Sequence, residues 1–334
     1  MRSLLIALSV SCICLACGSE PAPPAPAPSS AGSLLIGNPA VDAITRQLAE
    51  DPENAELYAA RARAYYDNGG YDEAIIDLDR AIRLDSTNVA YLHGLSDVYL
   101  DYYKSYQALK VMERAVELFP KRVPTLLKYA HLQLLLKQHK EALFTLERAR
   151  VVEPQNAEMF LLFGRVFQDM DRIPEATQAL QQAVDNDPEL AGAWLELARL
   201  KAAQNDPLTL RYFDNALRAN PQYVEAVHAK ANYLSDQNRL DEALEAFRYT
   251  NVLDPQYPDG YYNAGLLLLD MDSISQAAAR FDLAIKMEPT FVQAHYYRGV
   301  AEELMGNEAA AEAHYRQALR FDPAYAKAKE ALGE

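Results

Sequence analysis

The segment that decides the fold is residues 156–188, NAEMFLLFGRVFQDMDRIPEATQALQQAVDNDP. It recurs along the chain with its surface residues changed. Its final residue, Pro188, belongs to a ladder of Pro52, Pro120, Pro154, Pro188, Pro221, Pro255, Pro289 and Pro323, with Ser86 in the second place. Successive rungs lie 34 residues apart, except that Pro188 to Pro221 is 33. An acidic or polar residue precedes most of them, as in Asp51, Glu153, Asp187, Asn220, Asp254, Glu288 and Asp322. A fixed period of this size predicts a row of stacked units, each unable to bury its apolar face alone.

Numbering each unit so that the proline falls at position 32 exposes a packing code. Position 8 is small throughout: Ala62, Ser96, Ala130, Gly164, Ala198, Ala231, Gly265 and Gly299. Position 20 reads Ala74, Ala108, Ala142, Ala176, Thr209, Ala243, Ala277 and Ala311, and position 27 is alanine or threonine in every unit. Position 24 is large instead: Leu78, Met112, Leu146, Leu180, Phe213, Phe247, Phe281 and Tyr315. Helices approach closely only where neither presents bulk, so small against large predicts paired helices in close contact. Local signals agree. In the first unit LYAARARAYYDN (57–68) precedes the breaker Gly69-Gly70, and YDEAIIDLDRAIRL (71–84) follows with Asp72 and Glu73 at its N-terminus, where the helix dipole favours them.

This period and these positions resemble the tetratricopeptide repeat, a helix–turn–helix unit, over residues 53–323. The resemblance implies an all-α fold: an α-α superhelix, or solenoid, of eight repeats. Two end caps complete it. NPAVDAITRQLAE (38–50) is a single amphipathic helix with Asn38 as cap and Pro39 in its first turn. Ala40, Ile44 and Gln47 are expected to serve it as a second repeat helix, and the N-terminal cap runs over 38–52. Residues 324–334, AYAKAKEALGE, begin a further first helix as the C-terminal cap.

The N-terminus reads as an export signal. Residues 1–16 carry Arg2, a short apolar run and a closing Ala16, too short to span a bilayer. With Cys17, Gly18 and Ser19 the stretch is similar to a bacterial lipoprotein signal, which implies acylation of Cys17. All three cysteines lie in the first 17 residues, so the repeats hold no thiol. An exported domain of this kind depends on packing rather than disulfides. Residues 20–33, EPAPPAPAPSSAGS, are rich in proline, alanine and serine and are expected to act as an extended tether within the 17–37 region.

Composition narrows the partners. The chain has 47 acidic and 32 basic residues, a formal charge of −15. Nucleic-acid binding requires a basic face, so that class is excluded, and attachment to a membrane rests on the lipid alone. The family resemblance places positions 2, 5, 9, 12 and 13 of each first helix on a concave wall. Carried onto this chain, they give Glu56, Asp67, Asp97, Asp101, Glu158, Asp169, Glu225, Asp236, Asp259, Asp270 and Glu303 against Arg63, Arg165 and Arg199. A wall of one sign concentrates a ligand of the other. Position 9 adds His131 and Asn232, and two apolar patches interrupt the acid, one containing Leu127 and the other Tyr262, Leu266 and Tyr296. The lysine/asparagine/arginine carboxylate clamp known in the family is missing from these positions.

No chemistry for catalysis is apparent. The histidines (His93, His131, His139, His228, His295, His314) fall on separate helices without the spacing that puts two ligands on one face. His93 and His131 are the pair expected to approach each other across neighbouring helices. No glycine-rich phosphate loop or nucleophile elbow is present, and Trp194 occupies a packing position. The expectation is a non-catalytic scaffold without cofactor or metal. It would be an outer-membrane lipoprotein of the bacterial envelope that binds basic or mixed basic/apolar protein segments and serves assembly of envelope complexes. A self-associating spacer and an adaptor for cell-wall hydrolases remain as alternatives.

Overall fold

The computed structural model describes residues 37–334, and among these the regular secondary structure is eighteen α-helices. The expected signal, lipid site at Cys17 and tether lie outside the described residues. Helix α1 (Pro39–Glu50) is followed by eight pairs, beginning with α2 (Ala55–Tyr66) and α3 (Tyr71–Leu84), then α4 (Val89–Asp101) and α5 (Ser105–Leu118). The third pair is α6 (Val123–Leu135) with α7 (His139–Val152), the fourth α8 (Ala157–Asp169) with α9 (Ile173–Asn186), the fifth α10 (Ala191–Ala203) with α11 (Thr209–Ala219). Next come α12 (Val224–Asp236) with α13 (Leu240–Leu253), α14 (Pro258–Asp270) with α15 (Ile274–Met287), and α16 (Val292–Leu304) with α17 (Glu308–Phe321). Helix α18 (Ala326–Leu332) closes the array.

The packing code is the core. Ala62, Ala74 and Ala81 of the first pair are fully buried, as are Ala176, Leu180 and Ala183 of the fourth. Where position 8 has lost even its methyl, the facing side chain fills the gap. An ideal Cβ on Gly164 would lie 2.6 Å from Leu180 Cγ, and one on Gly265 or Gly299 would lie 2.6 Å from the ring of Phe281 or Tyr315. Small and large residues are therefore matched pair by pair.

The ladder of prolines has a packing partner. Trp194 Nε1 donates to the Pro188 carbonyl at 2.8 Å, and the hydroxyls of Tyr58 and Tyr261 donate to those of Pro52 and Pro255 at 3.2 Å. His295 Nε2 meets Pro289 O at 3.0 Å in the same way. Each ring reaches from position 4 of a first helix to the proline that ends the previous repeat. This fixes one unit on the next and confirms Trp194 as structural.

The turn inside each repeat is tighter than glycine content suggests. One residue per turn is left-handed: Gly69, Tyr103, Lys137, Asp171, Asn205, Asn238, Asp272 and Gly306, with φ between 53° and 80°. The residue after it donates back into the first helix, as Lys104 N does to Tyr99 O at 2.8 Å and Arg172 N to Phe167 O at 2.8 Å. This is the Schellman closure, which satisfies carbonyls at the helix end. Asparagine side chains cap several first helices, Asn54 accepting from Leu57 N at 3.2 Å and Asn156 from Met159 N at 2.9 Å.

The N-terminal cap departs from expectation. Asn38 caps α1 as read, accepting from Ala40 N at 2.9 Å. The buried residues, however, are Val41 and Leu48, while Ala40 and Gln47 are exposed. Positions equivalent to Ala74 and Ala81 pack on the first helix of their own repeat, and α1 has no such partner among the described residues. Its buried face is the one turned to α2.

Candidate functional site

Each helix packs mainly on the helices before and after it, but the first helices also touch one another, as α6 does α8, α8 does α10, α10 does α12, and α14 does α16. The second helices do not come comparably close. The first helices therefore form the shorter, inner side of the curve, the concave wall on which the site was sought.

Polar pairs bridge this wall from repeat to repeat. Asp97 on α4 meets Lys128 on α6 at 2.5 Å, and His93 Nε2 lies 3.0 Å from Thr125 Oγ1 across the same interface. Arg165 on α8 meets Glu196 on α10 at 3.2 Å, with Arg199 also at 3.8 Å from Glu196. Asn263 Nδ2 donates to His228 Nε2 at 2.7 Å between α14 and α12. That contact requires His228 to be neutral at Nε2, and burial lowers its pKa in the same direction. His93 and His131 are not partners. His93 is held below the usual histidine range by burial, then by Lys128 and Arg122.

The pairs redistribute the acid expected from sequence. Asp97 is neutralised by Lys128, and Asp67 by Arg63 at 2.8 Å. Asp101 accepts from the Tyr66 hydroxyl, whose pKa that bond pushes up to about 12, burial adding to it. Asp169 accepts from Lys137 at 2.6 Å and His139 at 2.5 Å, which holds it below the ordinary carboxylate range. Glu303 accepts from the Tyr315 hydroxyl at 2.6 Å. Among the described residues no cation lies within 4.0 Å of Glu56, Glu158, Glu225, Asp236, Asp259 or Asp270. Four of these six belong to repeats six and seven. The acidic wall is therefore concentrated in the C-terminal half rather than spread over all repeats.

There the acids stand at both ends of α12 and α14, Glu225 and Asp259 in the first turns and Asp236 and Asp270 as the last residues. Glu225 and Asp259 both act on Tyr257, whose pKa is raised by burial and then by Asp259 and Glu225. Arg199 is close enough to act on Tyr223, Tyr257 and His228, so it closes the patch toward repeat five. Beyond Asn263 the wall turns aromatic. Tyr262 packs on Phe291 at 4.9 Å and on Tyr297 at 6.0 Å between ring centroids, and Tyr296 packs on Tyr297 at 5.0 Å. Tyr262, Leu266 and Tyr296 are half-buried, as is Asn232 on α12. Leu127 is a correction. It is 6 % exposed and belongs to the core shared by repeats three and four, in one cluster with residues of α7, α8 and α9.

A second feature lies in the N-terminal half, a cleft of about 280 Å³ between α2 and α4. Ala59, Ala90 and Gly94 form its small-residue walls, Leu78 and Val98 its floor, and Arg63, Tyr66 and Asp97 its rim. The sequence reading named Arg63 and Asp97 without this cleft, since its signal is only the small side chains at 59 and 90 and the lack of one at 94. It also missed Lys128, Glu196 and Asn263, all at position 6, which was not counted as facing the wall. Among the described residues no cluster of three metal-ligating side chains occurs.

Comparison with known proteins now bears on the fold. The Tetratricopeptide repeat family matches residues 40–89, 161–207, 210–258 and 262–326, more than half the chain. Among solved structures, the Cut9–Hcn1 hetero-tetramer of the APC/C covers 88 % of this chain and 57 % of its own, with a TM-score of 0.57 at 12 % identity. That likeness shows the fold alone. YrrB, a TPR protein with an unusual peptide-binding site, covers 57 % of this chain and 99 % of its own at a TM-score of 0.41 and 24 % identity. A protein SGT1 homolog of Oryza sativa subsp. japonica is 39 % identical over 71 residues, 21 % of this chain and 19 % of that relative. The chain thus spans about a fifth of the rice protein. Arrays of this kind are scaffolds for protein–protein interaction, and no catalytic family is indicated. The chain belongs to the tetratricopeptide repeat family.

Proposed function

We propose that this scaffold is a lipoprotein of the bacterial envelope, anchored at Cys17 and tethered to the outer membrane through residues 18–36. Its concave wall binds an extended protein segment with basic and apolar side chains, in the service of envelope assembly. The observation that carries the reading is the patch on repeats six to eight. Unpaired Asp259 lies near the half-buried ring of Tyr262, which packs on Tyr297, and unpaired Glu225, Asp236 and Asp270 sit on the same two helices, α12 and α14. Free carboxylates attract a cation without first giving up an internal partner, whereas Asp97 and Asp169 would have to exchange one. Tyrosine beside them offers apolar area and a hydroxyl to an incoming side chain.

Defined peptides test this. The full chain is titrated with a fluorescent peptide alternating lysine and leucine and with its glutamate–leucine counterpart. The lysine peptide is expected to bind, with affinity falling as salt rises, since exposed charge is screened. Glu225→Lys with Asp259→Lys is expected to weaken it about tenfold, the equivalent of ~1.4 kcal/mol, while Asp169→Lys has a smaller effect. Equal binding of both peptides, or no change in the double variant, removes the acidic wall as the site.

A further inference from the structure

A cluster of tyrosines crosses the turn edge of repeats one and two, away from the patch above. Tyr103 is 95 % exposed and sits at φ 58°, and Tyr106 is 63 % exposed in the first turn of α5. A bulky residue in the left-handed region is an outlier that the surrounding structure must impose. The equivalent turn residues are Gly69, Lys137, Asp171, Asn205, Asn238, Asp272 and Gly306, none of them aromatic. At the place of Tyr106 other repeats carry Asp72, Lys140, Asp241, Ser275 and Ala309. The turn therefore does not require tyrosine, and folding gains nothing from showing both rings to water.

The same turn edge carries an ordered aromatic stack. Tyr71 and Tyr102 stack with centroids 5.2 Å apart, and Tyr66 meets Tyr71 edge-on at 6.0 Å. The Tyr102 hydroxyl donates to Asp72 at 3.1 Å, and Lys104 Nζ lies 3.9 Å over the Tyr102 ring. Lys110 Nζ stands 4.8 Å over Tyr106. Asp72 is thus paired with Lys104 at 3.8 Å and Asp101 takes the Tyr66 hydroxyl, while Lys104 and Lys110 lie over aromatic faces.

An uncharged ligand with flat apolar surfaces fits such an edge, and the chain contains one. Residues 21–28 read PAPPAPAP, with no charge at all. Proline-rich segments enter aromatic grooves with little loss of entropy because proline already fixes their backbone. The segment also enters from the correct side. Helices α1, α3 and α5 are second helices in turn, so Gly37, Tyr71 and Ser105 stand along one edge. Packed helix axes lie about 8–10 Å apart, so α3 is within ~20 Å of α1. The eight residues 29–36 extend to ~25 Å. We propose that residues 21–28 dock in cis on the edge formed by Tyr71, Tyr102, Tyr103 and Tyr106.

The test uses the full chain with Pro21, Pro23, Pro24, Pro26 and Pro28 changed to Ser, which frees the edge. A fluorescein-labelled peptide of residues 20–33 is titrated into it by polarisation. Saturable binding is expected, and Tyr103→Gly with Tyr106→Ser should weaken it at least tenfold. These two substitutions touch only exposed rings, and far-UV circular dichroism confirms the fold. The unaltered chain should bind the peptide more weakly, because its own segment competes at an effective concentration of ~1 mM. For a peptide Kd of about 0.1 mM that competition is about tenfold. Absence of binding, or binding indifferent to the tyrosine changes, overturns the site. Equal affinity for both chains overturns docking in cis. Binding of an acidic or basic control peptide with the same strength shows an unselective surface and also overturns the proposal.

Discussion

Gly164→Leu tests the packing code where it is tightest. Gly164 faces Leu180, which is fully buried, and an added Cβ would already lie 2.6 Å from Leu180 Cγ and Cδ2. Cγ is not the free end of a flexible side chain, so α8 and α9 must move apart, and three further carbons follow the first. Overpacking of this kind costs about 1–3 kcal/mol, and the geometry argues for the upper end. Removing a glycine from a helix interior returns about 0.5–1 kcal/mol. The net loss is about 2 kcal/mol, a fall in Tm of ~4–8 °C for a cooperative unit of roughly 150–250 residues. Because repeat arrays open in parts, the melt is followed by circular dichroism together with amide exchange, and protection should fall first in α8 and α9. Gly94→Ala is the control. Its Cβ would meet Leu78 at 3.5 Å, an ordinary contact, so it should be neutral or stabilising by up to ~1 kcal/mol. A melt unchanged by Gly164→Leu, or lowered equally by Gly94→Ala, refutes the pairing of positions 8 and 24.

Further outcomes follow from the turns, an ion pair and the histidines. Tyr103→Gly should stabilise the chain by about 0.5–1 kcal/mol in urea unfolding, since relief of ~1–2 kcal/mol of left-handed strain exceeds the entropy glycine adds to the unfolded chain. Gly69→Ala, with open space around it but φ 76°, should cost ~1 kcal/mol by the same measurement. Arg61→Ala removes a two-pronged contact of 2.6 and 2.8 Å to the buried Asp77, and should cost about 3 kcal/mol by leaving that carboxylate without its cation. Burial lowers the pKa of His93, His228 and His314. The unfolded chain then binds more protons, so stability is complete above the unfolded histidine value of ~6.5 and falls as pH drops through it. Urea midpoints at about pH 7.5 and 5.5 should show the loss, and His228→Asn should diminish it.

Much of the fold was legible because one side chain per position decides it. The small residues at positions 8, 20 and 27 and the large one at 24 gave repeat boundaries, pair contacts and the burial of Leu180, Phe213 and Phe281. The turns were only half legible. Gly69-Gly70 announced the first, but Tyr103 and Lys137 occupy the same left-handed place, since the Schellman bonds of the turn override local preference. The wall was least legible. Its charge depends on which acids already hold a partner, and Lys128 and Glu196 reach theirs from a neighbouring repeat about 30 residues away. Nor does a periodic count show that Leu127 is buried in the core while Asn263 reaches across to His228.

The proposed contact is between protein segments and the first helices of repeats six to eight. A photo-crosslinking amino acid at Asn232 or Leu266 tests it directly, with the same group at Phe144 or Val252 on the second helices for comparison. In the presence of the lysine–leucine peptide, the account predicts crosslinks from 232 and 266 that disappear on addition of unlabelled peptide, and none from 144 or 252. Crosslinks confined to 144 and 252 would contradict it and move the binding surface to the outer face.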